Sequence, residues 1–101
     1  MGMTIHRIKS WPEFFEPVRT GVKSFELRKN DRDYCVGDHL TLLEWEPDTF
    51  SHNEAGRYTG RELTKKIVYV MNGAGNVGTI QPLKGLSSGY AILGLGEPEL
   101  P

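Results

Sequence analysis

Long hydrophobic runs, paired cysteines and an excess of charge of one sign are all missing from this sequence of 101 residues. No stretch approaches the roughly 20 apolar residues that a membrane-spanning helix needs, so we expect no membrane insertion. Cys35 is the single cysteine, which excludes an internal disulfide and favours a reducing compartment. We expect Cys35 to be a small core residue. A formal net charge of −1 argues against non-specific coating of nucleic acid, because such binding scales with the number of phosphates neutralised.

Charge is distributed unevenly along the chain. Residues 1–33 contain seven Lys and Arg against five Asp and Glu, whereas the remainder contains five against eight. We therefore expect the first third of the chain to form the anion-facing side. The first residues lack the basic flank and apolar run of a signal peptide, so a cytoplasmic location is expected. The length suits one core, and we predict a single domain over residues 1–101.

A short amphipathic helix is predicted near the start of the chain. Ser10 and Glu13 have the spacing of a capping box, so Ser10 is expected to cap the first turn. One apolar face follows the i, i+3, i+4, i+7 spacing of a core-facing stripe and is formed by Trp11, Phe14, Phe15 and Val18. Pro17 predicts that the helix is short or kinked, and Gly21 is expected to end it.

About five strands are predicted, and they do not alternate with helices. Their ranges are 3–9, 23–29, 40–45, 63–71 and 90–95. Within residues 23–29, alternation places Phe25 and Leu27 on a core face and Glu26 and Arg28 on a polar face. The glycine-rich segment 72–89 is expected to be a long loop. The pattern predicts a mostly β (α+β) domain, a small curled sheet or partly open barrel with one N-terminal helix.

Two other patterns point to cofactor or metal chemistry and are rejected. Residues 73–78 match the Gly-x-Gly-x-x-Gly fingerprint of dinucleotide sites. The residues that follow favour neither a helix nor the second half of a βαβ unit, so the match indicates a loop. His6, His39 and His52 are scattered, without metal-ligand spacing. We therefore predict no metal and no cofactor, with His6 and His39 as half-buried strand residues.

The segment 21–31 concentrates charge in a predicted strand. Gly21, Lys23, Glu26 and Arg28 form the pattern Gly-x-Lys-x-x-Glu-x-Arg, which resembles the signature of the ASCH domain, a member of the PUA-like superfamily of small β-barrels. Three longer stretches resemble the DUF3850 branch of that group, and these are residues 11–38, 58–63 and 89–90. The resemblance covers nearly the whole chain. It implies a PUA-like pseudo-barrel, a cleft lined by the Lys, Glu and Arg, and roles linked to RNA.

The chemistry of these side chains agrees with binding of RNA or a nucleotide-like ligand. Arg28 can clamp a phosphate or a base edge through two hydrogen bonds, and Lys23 supplies a point charge. Glu26 can orient Arg28 or accept from a base amino group. We expect the three to converge on one concave surface, with Asn30 and Arg61 as neighbours, although alternation alone would separate Lys23 from Glu26 unless the chain twists or bulges. Candidate stacking surfaces are Trp11, Trp45, Tyr58 and Tyr90.

Other functions remain open at this point. Some ASCH-like proteins are amidohydrolases of acetylated cytidine that use a Lys, a Thr three residues later and a distant Glu. Lys23 matches that motif, Glu26 occupies the Thr position, and Glu62 is a guess for the distant Glu; in an enzyme, Lys23 and Glu26 would be catalytic. The resemblance also allows an RNA nuclease. A protein-interaction module has no positive motif. The structural alternative makes Glu26 and Arg28 an exposed ion pair worth about 0 to 1 kcal/mol.

Overall fold

Six elements make up the part of the chain that the computed structural model describes, which is residues 3–48, 56–73, 86 and 89–98. In chain order they are β1 (Ile5–Ser10), α1 (Pro12–Thr20), β2 (Phe25–Lys29), β3 (His39–Pro47), β4 (Gly56–Asn72) and β5 (Tyr90–Gly96). The prediction of a mostly β chain with one early helix is confirmed. β3 and β4 extend towards each other beyond the predicted ranges 40–45 and 63–71, since they continue to pair as far as Pro47 and Gly56.

All five strands belong to one sheet with the order β1-β3-β4-β5-β2. β1 and β3 are parallel, whereas the other neighbouring pairs are antiparallel. β1 and β2 are the edges of this sheet, and among the described residues they form no ladder with each other. Closure into a barrel is therefore not confirmed.

The two edge strands nevertheless come close together. Nη1 of Arg32, just beyond β2, donates to the backbone carbonyl of Arg7 in β1 at 3.0 Å. Residues of both strands also line one cleft. Strands at opposite ends of a sheet meet in this way when the sheet is strongly twisted and curved. The curved sheet therefore brings β1 and β2 to two sides of the same cavity.

The core lies between α1 and the sheet. Phe15 and Val18 are the buried residues of the helix. They join a cluster of buried sheet residues that includes Ile8, Leu40, Leu42, Ile67, Ala91, Leu93 and Leu95. Trp11 and Phe14 are 43% and 52% exposed, so the prediction that the whole helical stripe is core is wrong. The helix has nine residues, and only about one turn of its apolar face, from Phe15 to Val18, packs against the sheet. The rings of Trp11 and Phe14, at the start of the helix, lie outside this contact. This helix is also too short to cross a membrane.

The two faces of β2 are the reverse of those predicted. Glu26 is 2% exposed, whereas Phe25 and Leu27 are 47% and 51% exposed. Alternation shows that two faces exist but does not show which is buried. Here the buried face carries a carboxylate, which is tolerated because cationic side chains neutralise it.

The start of α1 also differs from the prediction. Ser10 belongs to β1, so its assignment as the helix cap is wrong. Trp11 is the N-cap residue, without a side-chain hydrogen bond to the helix. Its carbonyl accepts from the amides of Phe14 and Phe15 at 2.9 and 2.8 Å. Gly21 ends the helix in the left-handed region with φ of 87°, as predicted.

Three further predictions concern single side chains. Cys35 is exposed, so its assignment to the core is wrong; the neighbouring Tyr34 is buried in its place. His6 and His39 lie in strands, as expected, and are buried. His52 lies outside the described residues, as does most of the glycine-rich segment 72–89.

Candidate ligand-binding cleft

A cleft of roughly 630 Å³ opens between β1, the start of α1 and β2. Its lining consists of Lys9, Ser10, Trp11, Phe14, Lys23, Phe25, Glu26, Leu27 and Arg28. Its volume falls within the range of about 300 to 1,000 Å³ that is typical of small-molecule sites. The cleft contains the three charged residues of the Gly-x-Lys-x-x-Glu-x-Arg pattern, Lys23, Glu26 and Arg28.

Glu26 forms the centre of the charged part of the cleft. The Lys23 Nζ donates to the Glu26 Oε1 at 3.1 Å, and the Arg28 Nη1 lies 3.8 Å from the Glu26 Oε2. The carboxylate is almost fully buried, while both cationic side chains are partly exposed. A buried carboxylate is costly unless it is paired, so the two cations make this position possible. The three side chains therefore meet in one place.

The backbone turn after α1 explains how Lys23 reaches Glu26. β2 begins at Phe25, so Lys23 precedes the strand and does not follow its alternation. The Lys23 amide donates to the carbonyl of Pro17 at 2.9 Å, which fixes it against the end of the helix. The left-handed Gly21 makes this tight turn possible. The turn takes the place of the twist or bulge that the sequence required.

Exposed aromatic rings form the walls of the cleft. The Lys23 Nζ lies 5.5 Å from the centre of the Phe14 ring and 5.4 Å from that of Phe25. On the β1 side, the Lys9 Nζ lies 4.2 Å from the centre of the Trp45 ring. Trp45 is buried behind the wall and contacts the lining residue Trp11 with 6.2 Å between ring centres. These separations suit cation–π and tilted aromatic contacts. The walls therefore combine aromatic faces with positive charge.

Ser10 adds an unsatisfied polar group to the lining. Its side chain is buried, and its Oγ has no hydrogen-bond partner in the described part of the chain. A buried hydroxyl without a partner is rare in native proteins and carries an energetic cost. Ser10 lines the cleft, with its Oγ buried in the wall.

Asn30 and Arg61, the other two predicted site residues, lie outside this cleft. The Asn30 Nδ2 donates to the Asn72 Oδ1 at 3.1 Å, which links the end of β2 to the end of β4. Arg61 donates to both carboxylate oxygens of Glu44 at 2.9 Å. Glu62 pairs with an arginine of β1 at 3.3 Å, also outside the cleft lining.

Arg61 connects the sheet to helix α1 through hydrogen bonds. Besides Glu44, its guanidinium donates to the Glu16 Oε2 at 2.8 Å, and its central carbon lies 5.0 Å from the centre of the Phe15 ring. Its hydrogen bonds with Glu44 and Glu16 raise the pKa of Arg61. Hydrogen bonds from Arg19 and then Arg61 lower the pKa of Glu16 to about 2. These contacts make Arg61 a link between the sheet and α1.

Sequence reasoning missed Lys9, Ser10, Phe14 and Phe25 as residues of the cleft. Ser10 had been explained as a helix cap, and the two phenylalanines as core. A usable signal was present around Lys23, which has aromatic residues both in the preceding helix and two positions later in the chain. Lys9 gave no such signal, because its place in the cleft depends on the curvature of the sheet.

Taken together, the fold and the cleft define a small, mostly β domain with a cationic cleft walled by aromatic rings. The chain belongs to the family described as domain of unknown function DUF3850, whose model matches residues 5–95. It is also 38% identical over 66 residues to the "Uncharacterized 12.9 kDa protein in GpA 3'region" of Escherichia phage P2. That match covers 65% of this chain and 53% of the phage protein, so it spans about half of the relative's length.

Proposed function

We propose that this chain binds RNA or a nucleotide-like ligand in the cleft between β1 and β2. One observation carries the proposal: the buried Glu26 lies between Lys23 and Arg28 in a cleft walled by exposed aromatic rings. We further infer that the curved sheet is a PUA-like pseudo-barrel of the ASCH group, acting in the cytoplasm. The approach of the two edge strands supports that inference.

The polar groups of the cleft suit the edge of a nucleobase. A base edge presents hydrogen-bond donors and acceptors side by side, so a binding site needs both kinds of partner. Glu26 offers carboxylate oxygens that accept, and Arg28 offers guanidinium groups that donate. The unpartnered hydroxyl of Ser10 can do either. A site built for a simple anion would not need a buried carboxylate.

The aromatic and cationic groups suit the rest of a nucleotide. Trp11, Phe14 and Phe25 each expose a large part of their side chains at the cleft, and base stacking on such rings contributes about 1 to 3 kcal/mol per base. The Lys23 ammonium lies beside the Phe14 and Phe25 rings, and the Lys9 ammonium lies over Trp45, which contacts Trp11. A phosphate attached to a stacked base would therefore meet positive charge at the cleft.

Binding is favoured over hydrolysis by the environment of Lys23. A general base must accept a proton, whereas a lysine ammonium, the form that pairs with a carboxylate as Lys23 does with Glu26 at 3.1 Å, has no acceptor lone pair. Glu26 also occupies the position where the cytidine amidohydrolases resembled by this chain have Thr. Glu62, the guessed distant carboxylate, pairs with Arg7 outside the cleft lining. We therefore assign Lys23 a binding role.

The test compares two replacements of Lys23 by measuring the affinity for short single-stranded RNA oligomers with fluorescence anisotropy. Because a phosphate contact needs only positive charge, Lys23→Arg should keep most of the affinity. Lys23→Ala should weaken binding and lower the salt slope by about one unit. Lys65→Ala is the matched control, since Lys65 pairs with Glu97 outside the cleft lining, and it should bind as the unmodified chain does.

The same proteins are incubated with N4-acetylcytidine while cytidine release is followed, and the RNA is examined for cleavage. Release of cytidine or cleavage of the RNA that is abolished by Lys23→Arg would overturn the binding proposal and make this chain an enzyme. Absence of RNA and nucleotide binding by the unmodified chain would also overturn it. RNA binding that survives Lys23→Arg, without turnover, is the result we expect.

A further inference from the structure

A second cleft adjoins the first along β2. Its volume is roughly 250 Å³, and its lining consists of Leu27, Arg28, Lys29, Asp31, Arg32 and Tyr34. Leu27 and Arg28 line both clefts. We refer to the cleft around Glu26 as the aromatic cleft and to the second as the basic cleft. The two are neighbouring cavities that share the Arg28 side chain as a boundary.

The basic cleft differs in chemistry from the aromatic cleft. Arg28, Lys29 and Arg32 contribute three positive charges against the single carboxylate of Asp31. The one aromatic residue of its lining, Tyr34, is buried, so no exposed ring is available there for stacking. Such a lining suits a phosphate, which offers strong acceptor oxygens and negative charge but no flat apolar face.

Two contacts with the rest of the protein position the two arginines of the basic cleft, Arg28 and Arg32. The Arg32 Nη1 donates to the Arg7 carbonyl at 3.0 Å, which holds the guanidinium beside β1 and leaves other donors for a ligand. The Arg28 Nη1 lies 3.8 Å from the Glu26 Oε2, which holds this guanidinium at the boundary between the two clefts. Both arginines of the cleft lining are therefore anchored to other parts of the protein.

We infer that the ligand is a single-stranded nucleic-acid segment of at least two nucleotides rather than a free mononucleotide. One base occupies the aromatic cleft with its 5′-phosphate beside Lys9 and Lys23, and the phosphodiester on its 3′ side passes Arg28 into the basic cleft, where Lys29 and Arg32 contact it. This inference rests on the proposed function. It adds a phosphate subsite and a direction along β2 for the bound strand.

The experiment measures, by isothermal titration calorimetry, the affinities of the four ribonucleoside 5′-monophosphates and the four 5′-phosphorylated homodinucleotides. For the preferred base, the dinucleotide should bind at least about tenfold more tightly than the mononucleotide. One additional charge-assisted hydrogen bond is enough to produce a difference of this size. Arg32→Ala and Lys29→Ala should each remove most of that difference while leaving mononucleotide affinity nearly unchanged. Arg57→Ala removes the same charge from a residue outside both clefts and should preserve the difference.

The outcomes separate this inference from the proposed function. Equal affinities for mononucleotide and dinucleotide, or a dinucleotide gain that survives both Arg32→Ala and Lys29→Ala, would overturn the inference and leave the aromatic cleft as a nucleotide site. Absence of binding by every probe would overturn both. Lys29→Ala serves as the variant least expected to disturb folding, because Lys29 has no side-chain hydrogen bond or ion pair to any other described residue.

Discussion

Ser10 combines deep burial with a hydroxyl group that has no partner in the described structure. In most buried serines, loss of the hydroxyl leaves a second polar group unsatisfied and destabilises the protein. Here no such second group exists among the described residues. A ligand that reached this hydroxyl would supply the missing partner.

We predict that Ser10→Ala leaves the free energy of unfolding within about 0.5 kcal/mol of its original value or raises it, because an unsatisfied hydroxyl is removed. The same change should weaken binding of the preferred nucleotide about tenfold, through loss of one hydrogen bond. Urea unfolding and calorimetric titration measure the two quantities separately.

Thr41→Val provides the control for this prediction. Thr41 is also buried, but its Oγ1 is 2.8 Å from that of Thr64. Its removal should cost about 1 to 3 kcal/mol by leaving Thr64 without its partner, with little effect on ligand affinity. A Ser10→Ala variant that loses stability but not affinity would give Ser10 a structural role only.

The residues of the charged cluster were predictable, but their orientation was not. The spacing of Lys23, Glu26 and Arg28 and their resemblance to a known pattern identified the three side chains. Which face of β2 is buried depends on whether cations compensate the Glu26 carboxylate. That balance is set by the turn after α1, which periodicity does not describe.

At the level of elements, α1 is attached to the sheet by a few residues. Phe15 is 1% exposed and packs within the core cluster, whereas the adjacent Phe14 is half exposed at the cleft. Phe14 and Phe15 have the same type of side chain and lie in the same helix, but only Phe15 is buried. They therefore separate the part of the helix that supports the fold from the part that walls the cleft.

We predict that Phe15→Ala lowers the free energy of unfolding by about 3 to 5 kcal/mol, because it removes a buried ring and leaves a cavity. Phe14→Ala should cost less than about 1 kcal/mol and should instead weaken nucleotide binding through loss of a stacking surface. Chemical unfolding of both variants provides the comparison. Similar losses of stability in the two would contradict the assignment of Phe14 to the ligand-binding wall.

The elements themselves followed well from the sequence. The helix end at Gly21 and the existence of all five strands were predicted, because left-handed glycine and β-branched runs are local signals. The start of α1 was not predicted correctly. The spacing of Ser10 and Glu13 suggested that Ser10 caps the helix, but Ser10 instead pairs with β3. Tertiary pairing extended β1 through this residue, and the helix begins after it at Pro12.

For the molecule as a whole, carboxylates join distant segments. Asp38 accepts from the Thr4 amide at 3.3 Å, from the Cys35 amide at 3.1 Å and from the His6 Nε2 at 2.9 Å. Burial acts to raise the pKa of Asp38, but the hydrogen bonds from His6, Cys35 and Thr4 outweigh it and lower that pKa. This carboxylate holds β1 beside the start of β3.

We predict that acid destabilises the protein through these groups. A carboxyl whose pKa is lower in the folded state binds its proton more readily after unfolding, so its contribution is present above the unfolded pKa and is lost below it. Stability should therefore fall as the pH drops from about 4.5 towards 2, the range set by Glu16 and Asp38. Thermal unfolding across this range measures the effect.

Asp38→Asn should be less stable at neutral pH and should show a shallower loss of stability in acid. Glu13→Gln, at an exposed carboxyl in the first turn of the same chain's helix, is the control and should follow the original profile. A profile of Asp38→Asn parallel to that of the unmodified chain would show that Asp38 does not carry the acid sensitivity.

The sheet order has a consequence for the sequence of events in folding. β5 lies between β4 and β2 in the sheet. β2 pairs with β5, from Phe25 opposite Gly94 to Lys29 opposite Tyr90. β2 leaves the ribosome long before residues 90–96 are synthesised. During most of synthesis, Glu26 and Arg28 therefore lie in a segment that has not yet paired with β5. Pairings so distant in sequence form slowly. We therefore expect the cleft to assemble only after β5 has been synthesised, so that an incomplete chain lacks the proposed ligand site.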